Sequence, residues 1–404
     1  MQFASSLPGR QAMRQSGQKS PQGLQTRLLR AGSQTKAEVK TVAPPLQRGS
    51  TVLLPDARSL YDYSQVSYGR LGLSMQNALS EALGELEGSE PARLFPSGLA
   101  AITGTLLALL KGGDEMLAVG CAYGPSRRFC DGLLKRYGVS TRYFPATASP
   151  EEVMALAGPA TRLILLESPG SLTFEIQDIP AIAAAARARG ILTVIDNTWG
   201  AGLLYAPLSL GVDVSLQALT KYVSGHSDVF MGSACGRDPK ILEQIDAFQR
   251  DFGIGVSPDD AYFMLRGLRT LEVRLQRHGE NALKVAGWLQ QQSEVRQVLC
   301  PALPGAPGHD LWKRDFKGLN GLFGVVLQPG PEVKVEAFID ALELFGLGFS
   351  WGGYESLAIH CDPQLKLRPD HPAFGGPVVR LHVGLEDPDD LIADLRRALD
   401  AYTA

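Results

Sequence analysis

The strongest constraint on the fold is an alternation of short apolar segments with helical segments that begins at residue 97. The apolar runs have four to six residues each, the length of a buried strand. Such alternation is typical of a doubly wound, mostly parallel sheet, which binds ligands at the carboxyl ends of its strands. The predicted strands are 116–121, 141–144, 163–166, 191–195, 212–216 and 229–234, and the helices between them include 127–137, 150–157 and 179–189.

The pattern changes along the C-terminal third of the chain. A long helical pattern covers 258–292, and after it strands are predicted at 321–327 and 378–383, with amphipathic helices at 333–344 and 388–399. We therefore expect an N-terminal extension and arm (1–66), a large α/β domain (67–270) and a smaller α+β domain (271–404). The first 22 residues are predicted to be disordered, and a transit peptide is the alternative.

Charge and composition exclude several classes of protein. Six basic residues precede the first acidic residue, Glu38, so the rest of the chain carries 33 basic and 42 acidic residues. A chain this acidic is a poor partner for nucleic acid or anionic membranes, and no apolar run reaches the roughly 20 residues that span a bilayer. The five cysteines include no Cys-x-x-Cys pair, so we expect no disulfide framework, no metal site and a cytoplasmic protein.

Two charged residues close predicted strands. Asp196 ends the run 191–195, and Lys221 follows the run 212–216 within the segment 217–228. Taken singly, the Asp would cap a helix and the Lys would reach water at a sheet edge. As a pair on neighbouring strand ends they match what pyridoxal phosphate (PLP) requires, since Lys supplies an amine for a Schiff base and Asp keeps the pyridine nitrogen protonated.

A phosphate site is predicted at the start of the Ala/Leu-rich helix 98–110. Ser97 and Gly98 open this helix, where backbone N–H groups and the helix dipole suit an anion, and Gly98 permits close approach. The alternative is that Ser97 only caps the helix.

From about Leu24 to the C-terminus, the sequence resembles the Cys/Met-metabolism PLP-dependent enzymes. The resemblance implies an aspartate aminotransferase-like fold (fold type I), PLP as the cofactor and an amino acid as the substrate. The motifs that carry it are Tyr68-Gly69-Arg70, Phe95-Pro96-Ser97-Gly98, Asp196-Asn197-Thr198, Thr220-Lys221-Tyr222, Gly225-His226-Ser227-Asp228 and Arg380-Leu381-His382-Val383-Gly384-Leu385-Glu386-Asp387.

The resemblance also implies roles for individual residues. Lys221 would carry the cofactor, Tyr123 would stack on its ring and assist proton transfer, and Arg380 would bind the substrate carboxylate. Tyr68 and Arg70 would reach the phosphate of a neighbouring subunit, which implies a homotetramer with shared active sites. The remaining implied ligands are Ser97, Gly98, Leu99, Asp196 and Thr220 for the cofactor, with Tyr123, Ser350 and Trp351 for the substrate.

Two blocks, 167–173 and 350–357, look like those of the bacterial cystathionine β-lyase branch. This branch implies a carbon–sulfur lyase of methionine biosynthesis that cleaves L-cystathionine, and other cysteine S-conjugates, to a thiol, pyruvate and ammonia. A γ-lyase or γ-synthase of the same family is the alternative.

A more distant alternative is a serine hydrolase. Residues 348–352 match G-x-S-x-G with Ser350 as nucleophile, and Asp362, His371 and His382 follow in the order of an α/β-hydrolase. No convincing helix follows Ser350, although a nucleophile elbow requires one.

The sequence departs from the β-lyase pattern where the family binds the distal end of cystathionine. Leu71 stands where a second Arg is usual, and Arg127 and Arg128 stand where acidic residues are common. The two arginines would either bind the distal carboxylate or point to solvent. We expect β-elimination with relaxed substrate choice.

Overall fold

The computed structural model describes residues 22–33, 41–62, 64–368 and 371–404, which contain two β-sheets with packed helices. Residues 1–21, where the expected disordered extension or transit peptide falls, lie outside the described residues. None of the described helices is long and apolar enough to cross a membrane.

The larger sheet has seven strands in the order β1-β7-β6-β5-β4-β2-β3. Strands β2 to β6 are mutually parallel, which confirms the predicted α/β class. The strands are β1 (Arg93–Phe95), β2 (Glu115–Val119), β3 (Ser140–Phe144), β4 (Thr161–Glu167), β5 (Leu192–Asp196), β6 (Val214–Ala218) and β7 (Gly232–Gly236).

Helices cover both faces of this sheet. Along β4, Ile164 and Leu166 belong to one apolar core, while Leu163 and Leu165 belong to another on the opposite face. Burial on both sides explains why these strands read as continuous apolar runs. The helices are α1 (Leu24–Leu29), α2 (Ser74–Glu87), α3 (Gly98–Leu109), α4 (Gly124–Phe129), α5 (Pro150–Leu156), α6 (Ile179–Ala188), α7 (Pro239–Asp251) and α8 (Pro258–Leu268).

Strand β7 runs antiparallel to both of its neighbours. The connection from β6 to β7 spans residues 219–231 and contains no helix, whereas a parallel pairing would need a crossover. The chain instead turns back as a loop at the carboxyl end of β6. This loop contains Lys221.

The predicted helix over 258–292 is wrong as a continuous element. It is two helices, α8 and α9 (Leu271–Leu289). The carbonyl oxygen of Gly267 accepts the Thr270 N–H at 3.0 Å, a bond three residues along the chain, and also accepts from Thr270 Oγ1 at 3.2 Å and Arg274 Nη2 at 2.8 Å. The regular helical pattern is therefore interrupted at the break. The break coincides with the proposed 270/271 domain boundary, which stays a prediction.

The second sheet has five strands in the order β10-β11-β12-β9-β8, antiparallel except for the pair β10 and β11. Its apolar core also includes the last helix, through Leu391, Leu395 and Leu399. The strands are β8 (Val295–Leu299), β9 (Leu322–Leu327), β10 (Gly346–Leu347), β11 (Leu357–His360) and β12 (Val378–His382); the helices are α10 (His309–Asp315), α11 (Glu332–Asp340), α12 (Asp362–Leu365) and α13 (Pro388–Thr403).

Candidate active site

The loop after β6 holds Lys221 in a fixed conformation. Thr220 Oγ1 donates to the carbonyl oxygen of Met231 at 3.2 Å and accepts its N–H at 3.1 Å, so the hydroxyl ties the two ends of the loop together. The Gly225 N–H donates to the Lys221 carbonyl oxygen at 2.8 Å. Arg274, buried, donates to the carbonyl oxygen of Tyr222 at 2.7 Å. The backbone on both sides of Lys221 is therefore anchored.

The Lys221 amine points toward the C-terminal part of the chain. Its Nζ donates to Ser350 Oγ at 2.8 Å and lies 5.3 Å from the centroid of the Trp351 ring. Burial, with the positive charge of Arg380, lowers the pKa of Lys221 to about 8, although Asp196 opposes the shift. A neutral amine is thus accessible near physiological pH, as a nucleophile or base requires.

Asp196 lies at the end of β5, the strand next to β6. Its Oδ1 accepts hydrogen bonds from the Thr198 N–H at 3.0 Å and from the Thr198 hydroxyl. The same hydroxyl oxygen accepts the Ala218 N–H at 2.9 Å, which links the ends of the two strands. Burial raises the pKa of Asp196, while the Thr198 donors and Lys221 oppose that rise.

The N-terminus of α3 packs directly against the end of β6. A Cβ atom on Gly98 would lie 2.4 Å from Ala218 Cβ, so only glycine permits this approach. Ser97 Oγ accepts the Ala100 N–H at 3.1 Å, which shows the N-cap contact. The N–H groups of Gly98 and Leu99 belong to the first turn, which has no intrahelical acceptor, and they remain available to an anion.

Tyr123 precedes α4, and its ring is partly exposed. Its backbone N–H donates to Glu167 Oε2 at 2.7 Å. Burial and the charges of Asp196 and Glu167 raise the pKa of Tyr123, whereas Arg128 and Arg380 lower it. The phenol therefore stays protonated at neutral pH beside the carboxyl ends of β4 and β5.

Arg380 projects from β12 and is 7% exposed. Its Nη2 donates to the carbonyl oxygens of Phe349 and Ser350 at 3.0 Å each. Arg380 belongs to none of the ion pairs between described residues, and burial lowers its pKa to about 10. A buried guanidinium with unused donors suits a ligand carboxylate.

Comparison with known proteins identifies this arrangement. The family described as Cys/Met metabolism PLP-dependent enzyme matches residues 25–400. The chain belongs to this family. A putative cystathionine beta-lyase of Rhizobium johnstonii is 45% identical over 388 residues, covering 95% of this chain and 97% of the relative.

Two further relatives cover nearly the whole chain. The cystathionine beta-lyase of Escherichia coli (strain K12) is 41% identical over 384 residues, covering 92% of this chain and 97% of the relative. A crystal structure of cystathionine gamma synthase from Xanthomonas oryzae pv. oryzae in complex with cystathionine has a TM-score of 0.87 at 34% identity, covering 95% and 99% of the two chains. The fold is therefore fold type I, and the cofactor is pyridoxal 5′-phosphate.

The residues present fit this cofactor. Lys221 offers an amine whose pKa is about 8, Asp196 offers a carboxylate at the end of β5, and α3 begins where Gly98 allows close approach to β6. Among the described residues, no cluster of His, Cys, Asp and Glu is arranged to bind a metal ion.

Tyr68 and Arg70 do not lie in this cleft. Both are exposed, and they line an open groove of about 270 Å³ together with Gly49, Ser50 and Gly255. No contact joins them to Lys221 within the described ranges, so their expected role requires a second copy of the chain.

The hydrolase triad is not assembled. Ser350 Oγ is hydrogen-bonded to Lys221, and the next helix begins only at Asp362. His382 uses both nitrogens on the backbone: Nδ1 donates to the Glu355 carbonyl oxygen at 2.9 Å, and Nε2 accepts the Gly352 N–H at 3.0 Å. Burial lowers the pKa of His382 well below its ordinary value, and this histidine is a structural link in the loop.

Arg127 is half-buried and does not simply point to solvent, while its expected contact with a distal carboxylate stays a prediction. Its guanidinium donates to the Gly120 carbonyl oxygen and lies 4.1 Å from the centroid of the Tyr143 ring. Arg128 is exposed, and so is Leu71.

Sequence reasoning missed Glu167, Arg274 and Glu355. Glu167 ends a buried apolar strand as Asp196 does, so the signal was present. Arg274 lies within an amphipathic helix and Glu355 in a loop, where it accepts from Ser227 Oγ of the Lys221 loop. Nothing in the sequence pattern distinguishes these two from surface charges.

Proposed function

We propose that the protein is a carbon–sulfur β-lyase that, with uptake of water, cleaves L-cystathionine to homocysteine, pyruvate and ammonia. The observation that carries the proposal is the Lys221 amine, held 2.8 Å from Ser350 Oγ and between the charges of Asp196 and Arg380. The likeness to proteins named cystathionine beta-lyase, at 41% to 45% identity, supports the choice of substrate.

In this proposal, some residues bind the substrate and others transfer protons. Arg380 and Ser350 bind the substrate carboxylate, and Trp351 closes that side of the cleft. Lys221 Nζ removes the proton from Cα. As the Cβ–S bond breaks, either Lys221 or Tyr123 donates a proton to the leaving sulfur. PLP, when bound, accepts the electrons left at Cα.

The remaining proposed roles serve the cofactor. Asp196 holds the proton at the ring nitrogen, and Tyr123 stacks on the ring. The phosphate is bound by Thr220 and the first turn of α3, which includes Ser97, Gly98 and Leu99.

We further propose a cytoplasmic homotetramer with active sites shared between subunits. The segment around Tyr68 and Arg70 exposes large apolar side chains, with Leu53 92% and Tyr61 78% exposed. Covering such side chains with a second copy would remove apolar surface from water. All five cysteines are buried and unpaired, which suits a reducing compartment.

We also propose relaxed substrate choice. Leu71 supplies no cation, Arg127 contacts the Gly120 carbonyl oxygen and the Tyr143 ring, and Arg128 is exposed, so we expect only a weak charged contact with a distal carboxylate. Smaller cysteine S-conjugates should have kcat/KM within about tenfold of that of L-cystathionine, the factor that one charged contact supplies.

Product analysis with L-cystathionine, L-cystine and L-methionine tests the proposal. A β-lyase forms pyruvate from the first two, and a γ-lyase forms 2-oxobutyrate from cystathionine. Production of 2-oxobutyrate in place of pyruvate would favour the γ-lyase alternative. A colourless protein that forms neither would contradict both.

A further inference from the structure

Glu167 ends β4 beside Asp196, and none of the roles above uses it. In the register of the parallel pair β4 and β5, Glu167 is the partner of Asp196, so both carboxyl groups follow strands at the same edge of the sheet. Paired residues of neighbouring parallel strands project to the same face of the sheet, and two neighbouring carboxyl groups do not both ionise at low cost. One of them therefore tends to keep a proton.

Hydrogen bonding distinguishes the two carboxyl groups. Asp196 Oδ1 accepts two hydrogen bonds from Thr198, and the charge of Lys221 also favours its ionised form. Among the described residues, the Glu167 carboxyl group accepts one N–H, that of Tyr123. Because donors stabilise a carboxylate more than a neutral acid, Asp196 is the better site for the negative charge.

The other influences on Glu167 act in both directions, and burial is the largest of them. Burial and the charge of Asp196 raise the pKa of Glu167 well above its ordinary range, while the Tyr123 N–H and Arg368 oppose this. Arg368 directs its Nη1 to backbone carbonyl oxygens. The nearby Cys121 is a buried thiol whose pKa burial raises, so it adds no charge at neutral pH.

We propose that Glu167 is a positioning residue that stays protonated beside an ionised Asp196 and holds the backbone N–H of Tyr123. This rests on the proposed cofactor roles of Asp196 and Tyr123. A neutral Glu167 leaves one negative charge, rather than two, facing the ring nitrogen. Its hydrogen bond to the backbone N–H of Tyr123 fixes the backbone of that residue, and thereby the position of the Tyr123 ring.

The test compares Glu167→Gln with Glu167→Leu in the holoenzyme. The Gln variant copies a neutral acid and keeps an oxygen for the Tyr123 N–H, whereas the Leu variant removes the acceptor. At pH 7 the infrared C=O band of a protonated carboxylic acid should weaken in Glu167→Gln relative to the unmodified protein. Glu115→Gln is the matched control, because Glu115 begins β2 at the opposite end of the sheet and pairs with Arg142 at 2.7 Å.

We expect Glu167→Gln to keep kcat within about threefold and the pH dependence of the cofactor absorbance unchanged, and Glu167→Leu to lose about tenfold in kcat. Retention of the full acid band in Glu167→Gln would overturn the proposal. A shift in the pH dependence of the cofactor absorbance in Glu167→Gln would overturn the proposal as well. Such a shift would mean that the substitution had removed a negative charge, and therefore that Glu167 is ionised in the unmodified protein. Pyruvate formation by the unmodified enzyme tests the proposed function separately from the infrared band.

Discussion

At the scale of single residues, the cleft holds two cations, the half-buried Lys221 and the buried Arg380, and neither belongs to any of the described ion pairs. Burial lowers the pKa of Lys221 from 10.5 to about 8. Below pH 8 the folded apoenzyme must carry this charge, so Lys221 costs stability there. As the pH rises from 8 to 10.5 the folded protein has already released the proton that the unfolded chain still holds, and the cost disappears.

Replacing Lys221 should therefore stabilise the apoenzyme in a defined pH range. We expect Lys221→Met to raise the free energy of unfolding at pH 7 by about 1–3 kcal/mol, after allowance for solvent screening in the cleft, and by little above pH 10.5. Urea denaturation of the two apoproteins at several pH values measures the difference. Lys284→Met, which removes an exposed lysine paired with Asp389, should show no such trend. A gain in the free energy of unfolding that does not vary with pH would contradict this explanation. Because Lys221 carries the cofactor in the proposal, Lys221→Met should form no pyruvate.

Asp196 offers a second test at a single position. An amide at 196 can still accept the hydrogen bonds of Thr198 through its oxygen, so we expect Asp196→Asn to fold and to bind the cofactor. It cannot hold the proton at the ring nitrogen by charge, so the rate should fall by about two or more orders of magnitude. Steady-state pyruvate formation, with cofactor content followed by absorbance, is the measurement. An undiminished rate would place the ring-nitrogen partner elsewhere.

At the scale of elements, the contact between α3 and β6 brings the predicted phosphate site to the Lys221 loop. In Gly98→Ala the new Cβ would meet Ala218 at 2.4 Å, so α3 must move away from the strand. We expect a loss of about 1–3 kcal/mol in the free energy of unfolding and at least about tenfold weaker PLP binding. Gly287→Ala in α9 is the control, because nothing lies within 4 Å of its added Cβ and stability should rise slightly. Equal PLP affinity in the two variants would indicate that the N-terminus of α3 does not bind the phosphate.

Some features of the helices and strands could be predicted from the sequence, and others could not. The sequence predicts a helix at 150–157, and α5 runs from Pro150 to Leu156, where Ser149 and Glu152 form a capping box and Val153 packs into the apolar core. The antiparallel direction of β7 and the break after α8 depend on contacts between distant segments, such as Arg274 with the carbonyl oxygen of Tyr222, which periodicity does not encode. The Asp196 and Lys221 positions were predictable because charged residues at the ends of buried strands stand out.

At the scale of the whole molecule, the roles proposed for Tyr68 and Arg70 require a second copy of the chain. Tyr68 and Arg70 line a groove near Gly255 that has no described contact with Lys221. If they bind the phosphate of another subunit, each site of a two-fold dimer takes Lys221 from one chain and Arg70 from its partner. A catalytically active monomer in sedimentation would contradict this arrangement.

Subunit mixing tests that arrangement directly. Arg70→Ala and Lys221→Ala should each be inactive alone, since each removes one half of every site. In a mixed dimer, one site receives both intact residues and the other receives neither. Random exchange makes about half of the dimers mixed, so about one site in four is intact and about a quarter of the unmodified activity should return. Pyruvate formation after dissociation and reassociation measures the recovery, and mixing without dissociation is the control. No recovery from a fully exchanged mixture would place Arg70 in the same chain's site, or outside any site.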